Sequence, residues 1–179
     1  MFFVKSNAKF LKRIKTKAIY KDCFSKHSIS QYGQSYSDAK NFFIHFWSIF
    51  EIYSLSKSLN NQVSGDAFEI IFAFILDYEN IEIFSMDEQV KGIDFVKPDF
   101  ITKKHHHFIS CKTSLRERWK QADWESMRFK KIYSKSKCFL LTNHYKEYLS
   151  LKNKITKLDL DEVYFAGSDD INLLIKQLR

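Results

Sequence analysis

The sequence predicts an α/β fold, in which a mixed β-sheet of about five strands is flanked by helices and preceded by a helical N-terminal region. Three observations support this prediction. Two long stretches before residue 80 carry apolar residues at helical spacing, several short apolar or alternating runs follow, and helical segments separate the later runs. Helices interleaved with short buried strands are typical of helical layers packed around a sheet.

The composition fits one globular domain over residues 1–179, with a helical region at 1–60 and a core at 64–179. Hydrophobic residues make up 45% of the chain and aromatic residues 17%, which argues against a disordered protein. No apolar run reaches the ~18 residues of a membrane span. The cysteines at 23, 111 and 138 are odd in number and widely spaced, so we expect a reducing, cytoplasmic location.

The first half of the chain is predicted to be helical, and the second half is predicted to alternate between short strands and helices. Residues 1–20 form a basic arm with helical character, and residues 21–36 have the composition of a loop. A helix is expected from about Ser37 to Leu59, and Ser64 is expected to cap a second, nearly all-apolar helix over 65–78. The candidate strands are IEIF (81–84), PDFIT (98–102), FISCK (108–112), KCFLLT (137–142) and EVYFA (162–166), with helical segments at about 115–132, 144–155 and 168–178.

The formal net charge of +8 allows a nucleic-acid partner but does not identify one. The chain is rich in Lys, Ile, Phe and Asn throughout, and a biased composition of this kind would produce the same charge. The function must therefore be sought in particular residues.

Four residues could meet near one edge of the predicted sheet. Asp99 begins one strand and Lys112 ends the next, so a hairpin would bring both to the same edge. Glu125 would reach this place from the following helix, and Glu69 lies on the buried helix before it. Metal-assisted phosphodiester hydrolysis uses carboxylates to hold Mg²⁺ and a lysine to offset charge at the scissile phosphate. We therefore expect Mg²⁺ as a cofactor.

Pro98 and Asp99 followed by Lys112 resemble the PD-(D/E)xK nuclease signature. The acid that this signature usually places two residues before the lysine is Ser110 in this chain. One branch of the type II restriction endonucleases, which includes EcoRII, PspGI, SsoII and NgoMIV, carries that acid on the following helix, where Glu125 stands. The segments GDAFE (65–69), KPDF (97–100) and KTSLRERW (112–119) also resemble this branch.

The resemblance implies a restriction-endonuclease-like core and a role for each of these residues. Asp99, Glu125 and the backbone carbonyl of Cys111 would bind the metal. Lys112 would act at the scissile phosphate, and Glu69 would assist.

The same resemblance implies a recognition element at Arg116, Glu117 and Arg118. In this branch the first turn of the helix after the lysine enters the major groove, and its Arg-(Glu/Asp)-Arg triplet reads a C·G-rich site. Arginine donates two hydrogen bonds to guanine, and a carboxylate accepts from cytosine N4. The sequence thus predicts a type II restriction endonuclease for a CC/GG-core site, of the CCGG or the CCNGG/CCWGG type.

The implied partners are double-stranded DNA, a second copy of the chain and a companion DNA methyltransferase. A homodimer is expected because cutting both strands of a near-palindromic site needs two active sites. The alternative is a DNA-binding or repair protein on the same fold, with weak or no restriction activity. A non-catalytic basic nucleic-acid module is a third hypothesis.

Some of these residues also have a purely structural interpretation. Ser114 and Glu117 fit an S-x-x-E capping box, and Glu69 could be a core carboxylate paired with a basic residue. The run His105–His107 is expected in a hairpin turn or a groove-facing loop, because consecutive residues of an extended chain point to opposite faces and cannot all converge on a metal. The Cys111 thiol is expected to pack as a small apolar group.

Overall fold

The computed structural model describes residues 7–31, 36–57, 59–84 and 98–179. Lys97 of the KPDF segment and the first six residues of the basic arm lie outside these ranges. Within them the chain forms seven α-helices and four β-strands. The helices are α1 (Ala8–Ile14), α2 (Ala18–Asp22), α3 (Ala39–Lys57), α4 (Asn61–Tyr78), α5 (Arg118–Ile132), α6 (Tyr145–Lys152) and α7 (Asp170–Leu178); the strands are β1 (Phe100–Ile101), β2 (Phe108–Lys112), β3 (Cys138–Thr142) and β4 (Glu162–Phe165).

The four strands form one mixed sheet in the order β1-β2-β3-β4. Strand β1 is antiparallel to β2, with Phe100 opposite Ile109, whereas β2, β3 and β4 are parallel to one another. Helix α5 connects β2 to β3, and α6 connects β3 to β4, as parallel neighbours require. The predicted mixed α/β fold is therefore confirmed.

The sheet has one strand fewer than the sequence predicted, because IEIF (81–84) does not form a regular strand in the described residues. Ile83 makes a single bridge to Thr102 at the end of β1. On its other side the Asn7 side chain donates to the Ile81 carbonyl at 3.0 Å and accepts from the Ile83 amide at 3.0 Å. A buried asparagine thus satisfies backbone groups that another strand would otherwise pair with.

The two faces of the sheet pack against different helices, and the alternation along β2 decides which residue faces which layer. Ile109 and Cys111 belong to the larger hydrophobic cluster, which includes residues of α3, α4 and α7. Phe108 belongs to the second cluster, with Ala122 and Phe129 of α5.

No helix in the described part of the chain combines the length and hydrophobicity that a bilayer span requires.

Helix α4 is the central helix of the larger cluster. It begins at Asn61, and the Asn60 side chain caps it by accepting from the Val63 amide at 3.1 Å. Ser64, the predicted cap, instead lies inside the first turns of the helix. Asparagine favours the capping position as strongly as serine does, so the longer helix is consistent with capping preferences.

The N-terminal region packs on α4 and is helical, as predicted for the basic arm. The predicted loop contains two short 3₁₀ turns, Phe24–His27 and Ile29–Gln31. Phe24 and Ile29 are fully buried in the larger cluster, so this segment contributes to the core despite its polar composition.

We expect substitution of Phe72 in α4 by alanine to destabilise the protein by about 3–5 kcal/mol. The Phe72 side chain is 0% exposed and packs edge-on against Phe100 of β1, so its removal leaves a cavity between helix and sheet. The measurement is urea denaturation. Leu55→Ala on α3 is the control, since Leu55 is 85% exposed and its loss should change stability by less than about 0.5 kcal/mol. Equal effects of the two substitutions would contradict this packing.

Candidate functional site

Asp99 is the centre of a group of polar residues at the β1–β2 edge of the sheet. Three donors converge on its Oδ2 atom: the Cys111 amide at 2.6 Å, the Lys112 ammonium at 2.9 Å and the Ser110 hydroxyl at 3.2 Å. The antiparallel pairing of β1 with β2 produces this arrangement, because Asp99 directly precedes Phe100, the partner of Ile109. Sequence reasoning placed Asp99 and Lys112 at one edge, and the structure brings them into contact.

Lys112 ends β2 and forms an ion pair with Asp99 in which both side chains are mostly shielded, at 13% and 15% exposure. Side chains alternate along β2, so Lys112 and Ser110 lie on the face of Phe108, toward α5. The pair therefore lies between the sheet and α5, close to the surface. Hydrogen bonds between charged groups in such a position are stronger than those between neutral groups.

Glu125 lies on α5 and is only 3% exposed. Its Oε1 atom accepts a hydrogen bond from the Gln121 side chain at 2.9 Å, one helical turn earlier. Burial raises the pKa of Glu125, the Gln121 hydrogen bond and the positive charge of Lys112 lower it, and the negative charge of Asp99 raises it. Glu125 is thus within electrostatic range of both Asp99 and Lys112, and its charge is costly in this position.

Glu69 approaches from the opposite layer, on α4, and is held by a residue that sequence reasoning missed. Lys17 of the N-terminal region contacts Asp66 Oδ1 at 2.6 Å and Glu69 Oε2 at 3.1 Å. Burial raises the pKa of Glu69, the charge of Asp99 raises it further, and Lys17 counteracts both effects. Glu69 is paired with a basic residue, as the structural interpretation expected, and it also faces the charge of Asp99.

Gln121 and Lys17, which bind Glu125 and Glu69, differ in whether the sequence alone could have identified them. Gln121 precedes Glu125 by four positions on a predicted helix, a spacing at which side chains meet, so it could have been identified. Lys17 is one of many lysines in a basic arm, and it is 52 positions from Glu69, so no local signal marks it.

Ser110 and Cys111 have distinct surroundings on the two faces of β2. Ser110 is fully buried and donates its hydroxyl hydrogen to Asp99, so the position of the usual second acid is occupied by a neutral donor. The Cys111 thiol points into the larger hydrophobic cluster, and burial raises its pKa well above the ordinary value. Its packing as an apolar group is confirmed.

The segment that carries Arg116, Glu117 and Arg118 is only partly helical. Helix α5 begins at Arg118, Glu117 is its N-cap residue, and Arg116 lies in the preceding loop with φ = 31°. The predicted placement of all three in the first helical turn is therefore wrong for the first two. The three side chains are exposed, and Glu117 pairs with Lys120.

The capping box predicted at Ser114 and Glu117 is not formed, because the Glu117 side chain makes no capping hydrogen bond and is 78% exposed. The exposed Glu117 carboxylate therefore pairs with the Lys120 side chain and not with the backbone of the helix start.

The three consecutive histidines lie in the β1–β2 connection, as predicted for a hairpin turn. His106 stacks on Tyr133, the residue that follows α5, and the His107 Nδ1 atom accepts from the Lys137 amide at 3.0 Å. Burial, followed by the charges of His105 and Lys137, lowers the pKa of His107 to about 4. Within the described ranges, the structure contains no group of three or more His, Cys, Asp or Glu side chains arranged to hold a metal ion.

Comparison with known proteins supports the fold. No protein-family model matches the chain, and no curated protein matches it. Among solved structures, the chain is similar to that of the restriction endonuclease PspGI in complex with substrate DNA, with a TM-score of 0.59 and 18% sequence identity. The similarity covers 93% of this chain and 81% of that chain. The fold is therefore restriction-endonuclease-like.

We expect Glu125→Gln to stabilise the protein at about pH 8 relative to the unsubstituted chain. The pKa of Glu125 is raised in the folded state, so folding favours the protonated form, and stability is lost as the pH rises through that pKa. Glutamine keeps the shape and an acceptor for Gln121 but cannot ionise. Urea denaturation should give a stability difference at about pH 8 that disappears below pH 4.5, the ordinary value for glutamate. A variant that is less stable at all pH values would contradict the electrostatic description.

Proposed function

We propose that the protein is a Mg²⁺-dependent, sequence-specific endonuclease of double-stranded DNA, a type II restriction enzyme of the branch that includes EcoRII, PspGI, SsoII and NgoMIV. One observation carries the proposal: on a restriction-endonuclease-like fold, Lys112 contacts Asp99, Glu125 lies within electrostatic range of both, and the exposed segment Arg116–Arg118 follows Lys112 by four residues. A site for phosphate chemistry next to a basic segment fits DNA better than a small substrate.

The charges around Asp99 suit a divalent cation. The site contains more negative than positive side chains. Its carboxylates are those of Asp66, Glu69, Asp99 and Glu125, and its lysines are Lys17 and Lys112. The charge of Asp99 raises the pKa of both glutamates, so added positive charge would be favourable there. Mg²⁺ is bound through one or two carboxylates together with substrate oxygens, so the absence of a larger ligand cluster among the described residues does not conflict with it.

In this proposal Asp99 and Glu125 hold the metal, and the backbone carbonyl of Cys111 contributes a further oxygen. When bound, Mg²⁺ supplies an acidified water and stabilises charge on the leaving oxygen. Lys112, which donates to Asp99 at 2.9 Å, would contact the scissile phosphate and offset its developing charge. Glu69, oriented by Lys17, assists from the α4 side.

Specificity in this proposal comes from Arg116, Glu117 and Arg118. The triplet lies four to six residues after Lys112, so correct base contacts would place the phosphate backbone correctly at the lysine. Bidentate arginines select guanine, and a carboxylate accepts from cytosine N4. We therefore propose a site with a CC/GG core, either CCGG or CC and GG separated by one base pair.

The assembly follows from the substrate. A homodimer would place one site on each strand of a near-palindromic sequence. Each protomer would use one domain over residues 1–179, and a companion DNA methyltransferase would protect the host DNA. Sedimentation of the protein with and without a DNA duplex tests the dimer.

We expect Asp99→Ala, Lys112→Ala and Glu125→Ala each to reduce DNA cleavage in Mg²⁺ by on the order of a hundredfold or more. Specific binding in Ca²⁺ should persist, because a single charge contributes only a fraction of the attraction to phosphate. The measurement is plasmid cleavage together with binding in Ca²⁺. Asp169→Ala is the matched control, since this carboxylate is 78% exposed and pairs only with Lys40 among the ion pairs of the described residues. Normal cleavage by Glu125→Ala would rule out the helix-borne acid.

We expect Arg118→Ala to weaken specific DNA binding roughly ten- to a hundredfold, while nonspecific binding changes little. Each bidentate arginine contact contributes on the order of 1 to 3 kcal/mol of discrimination. Selection from a randomised duplex library measures the preference, and Arg13→Ala, an exposed arginine on α1, is the control. Enrichment of a site with only A·T pairs, or an unchanged preference in Arg116 and Arg118 variants, would contradict the recognition model while leaving the nuclease model intact.

A further inference from the structure

The loop between β2 and α5 is held by a carboxylate from a distant helix. Glu147, in the first turn of α6, accepts hydrogen bonds from two consecutive backbone amides of this loop. The Leu115 amide donates to Oε2, and the Arg116 amide donates to Oε1 at 3.2 Å. Both carboxylate oxygens are therefore engaged by main chain, 32 and 31 positions away in sequence.

This contact matters because the loop backbone is in an unfavourable conformation. Arg116 has φ = 31°, close to the left-handed region that residues with a side chain rarely adopt. Such a conformation persists only where its surroundings hold it in place. The Leu115 side chain, which is 1% exposed, packs in the second hydrophobic cluster and anchors the loop there. The Glu147 carboxylate binds the backbone amides of Leu115 and Arg116.

We propose that Glu147 is a positioning residue for sequence recognition, which fixes the loop so that Arg116 and Glu117 are presented to DNA in one orientation. The inference rests on the proposed function, since it assigns a role to a residue outside the triplet. Two charge-assisted hydrogen bonds to one loop restrict it more than neutral bonds would. Glu147 itself does not contact DNA in this proposal, because both of its oxygens are already used by the protein.

Two substitutions separate the charge from the contact. Glu147→Gln keeps the length of the side chain and one acceptor, whereas Glu147→Ala removes both acceptors. We expect discrimination between the preferred duplex and a duplex with one core base pair changed to fall by roughly tenfold in Glu147→Ala, the size of one weakened arginine contact, with Glu147→Gln between it and the unsubstituted protein. Nonspecific binding should be unchanged in both.

Hydrogen exchange of the Leu115 and Arg116 amides in the DNA-free protein tests the contact without relying on DNA. Exchange at both amides should become faster in Glu147→Ala, while thermal unfolding confirms that the variant is folded. The control is Glu51→Ala on α3, an exposed carboxylate that accepts from the Trp47 side chain and should leave both measurements unchanged.

The outcomes distinguish this inference from the proposed function. Unchanged exchange at the two amides, or faster exchange with unchanged discrimination, would overturn the role of Glu147 and leave the nuclease proposal standing. Unsubstituted protein that lacks any sequence preference would overturn the recognition part of the proposed function, and the role of Glu147 in it. Faster exchange with an equal loss of affinity for every duplex would also overturn the inference, because it would indicate a general structural defect.

Discussion

The interactions of the Asp99 carboxylate determine the rest of the site. Its Oδ2 atom accepts from Ser110, Cys111 and Lys112 at once, and this joins the short β1 to the end of β2 and fixes the lysine. A second carboxylate at position 110 would stand at hydrogen-bonding distance from Asp99, where two like charges disfavour each other's ionisation. With serine there, position 110 donates to Asp99, and in the proposed function Glu125 of α5 would supply the second acid.

The site is electrostatically costly, and the surrounding core offsets that cost. Burial raises the pKa of both Glu69 and Glu125, so ionising either of them works against folding. Paired buried charges contribute little net stability, and hydrophobic residues of similar size are often as favourable. Stability comes instead from the aromatic packing of α4 and α5 on the two sheet faces, around Phe72 and Phe129. A cluster of carboxylates that does not serve stability is the kind of arrangement found at functional sites.

Much of this arrangement could be predicted from local patterns, and the errors have specific causes. Alternation and helical spacing located β2, β3, β4 and the long helices. They failed at IEIF (81–84), where pairing with the neighbouring strand is limited to one bridge from Ile83 to Thr102, and the side chain of Asn7, 76 positions from Ile83, bonds the backbone on the other side. They also failed at the start of α5, where a contact from Glu147 and a left-handed Arg116 delay the helix to Arg118. Lys17 was missed for the same reason, because contacts between distant residues leave no periodic signal.

In the proposed function, one segment, KTSLRERW (112–119), would join the chemistry at Lys112 to the reading of bases by the residues that follow it. Sequencing the ends that the purified protein leaves in long, mixed-sequence DNA with Mg²⁺ measures whether cleavage and base recognition are linked in this way. We expect discrete fragments whose ends lie at a fixed position relative to a shared CC/GG core. Fragments with unrelated ends would contradict the link between cleavage and recognition, and intact DNA would contradict the nuclease function itself.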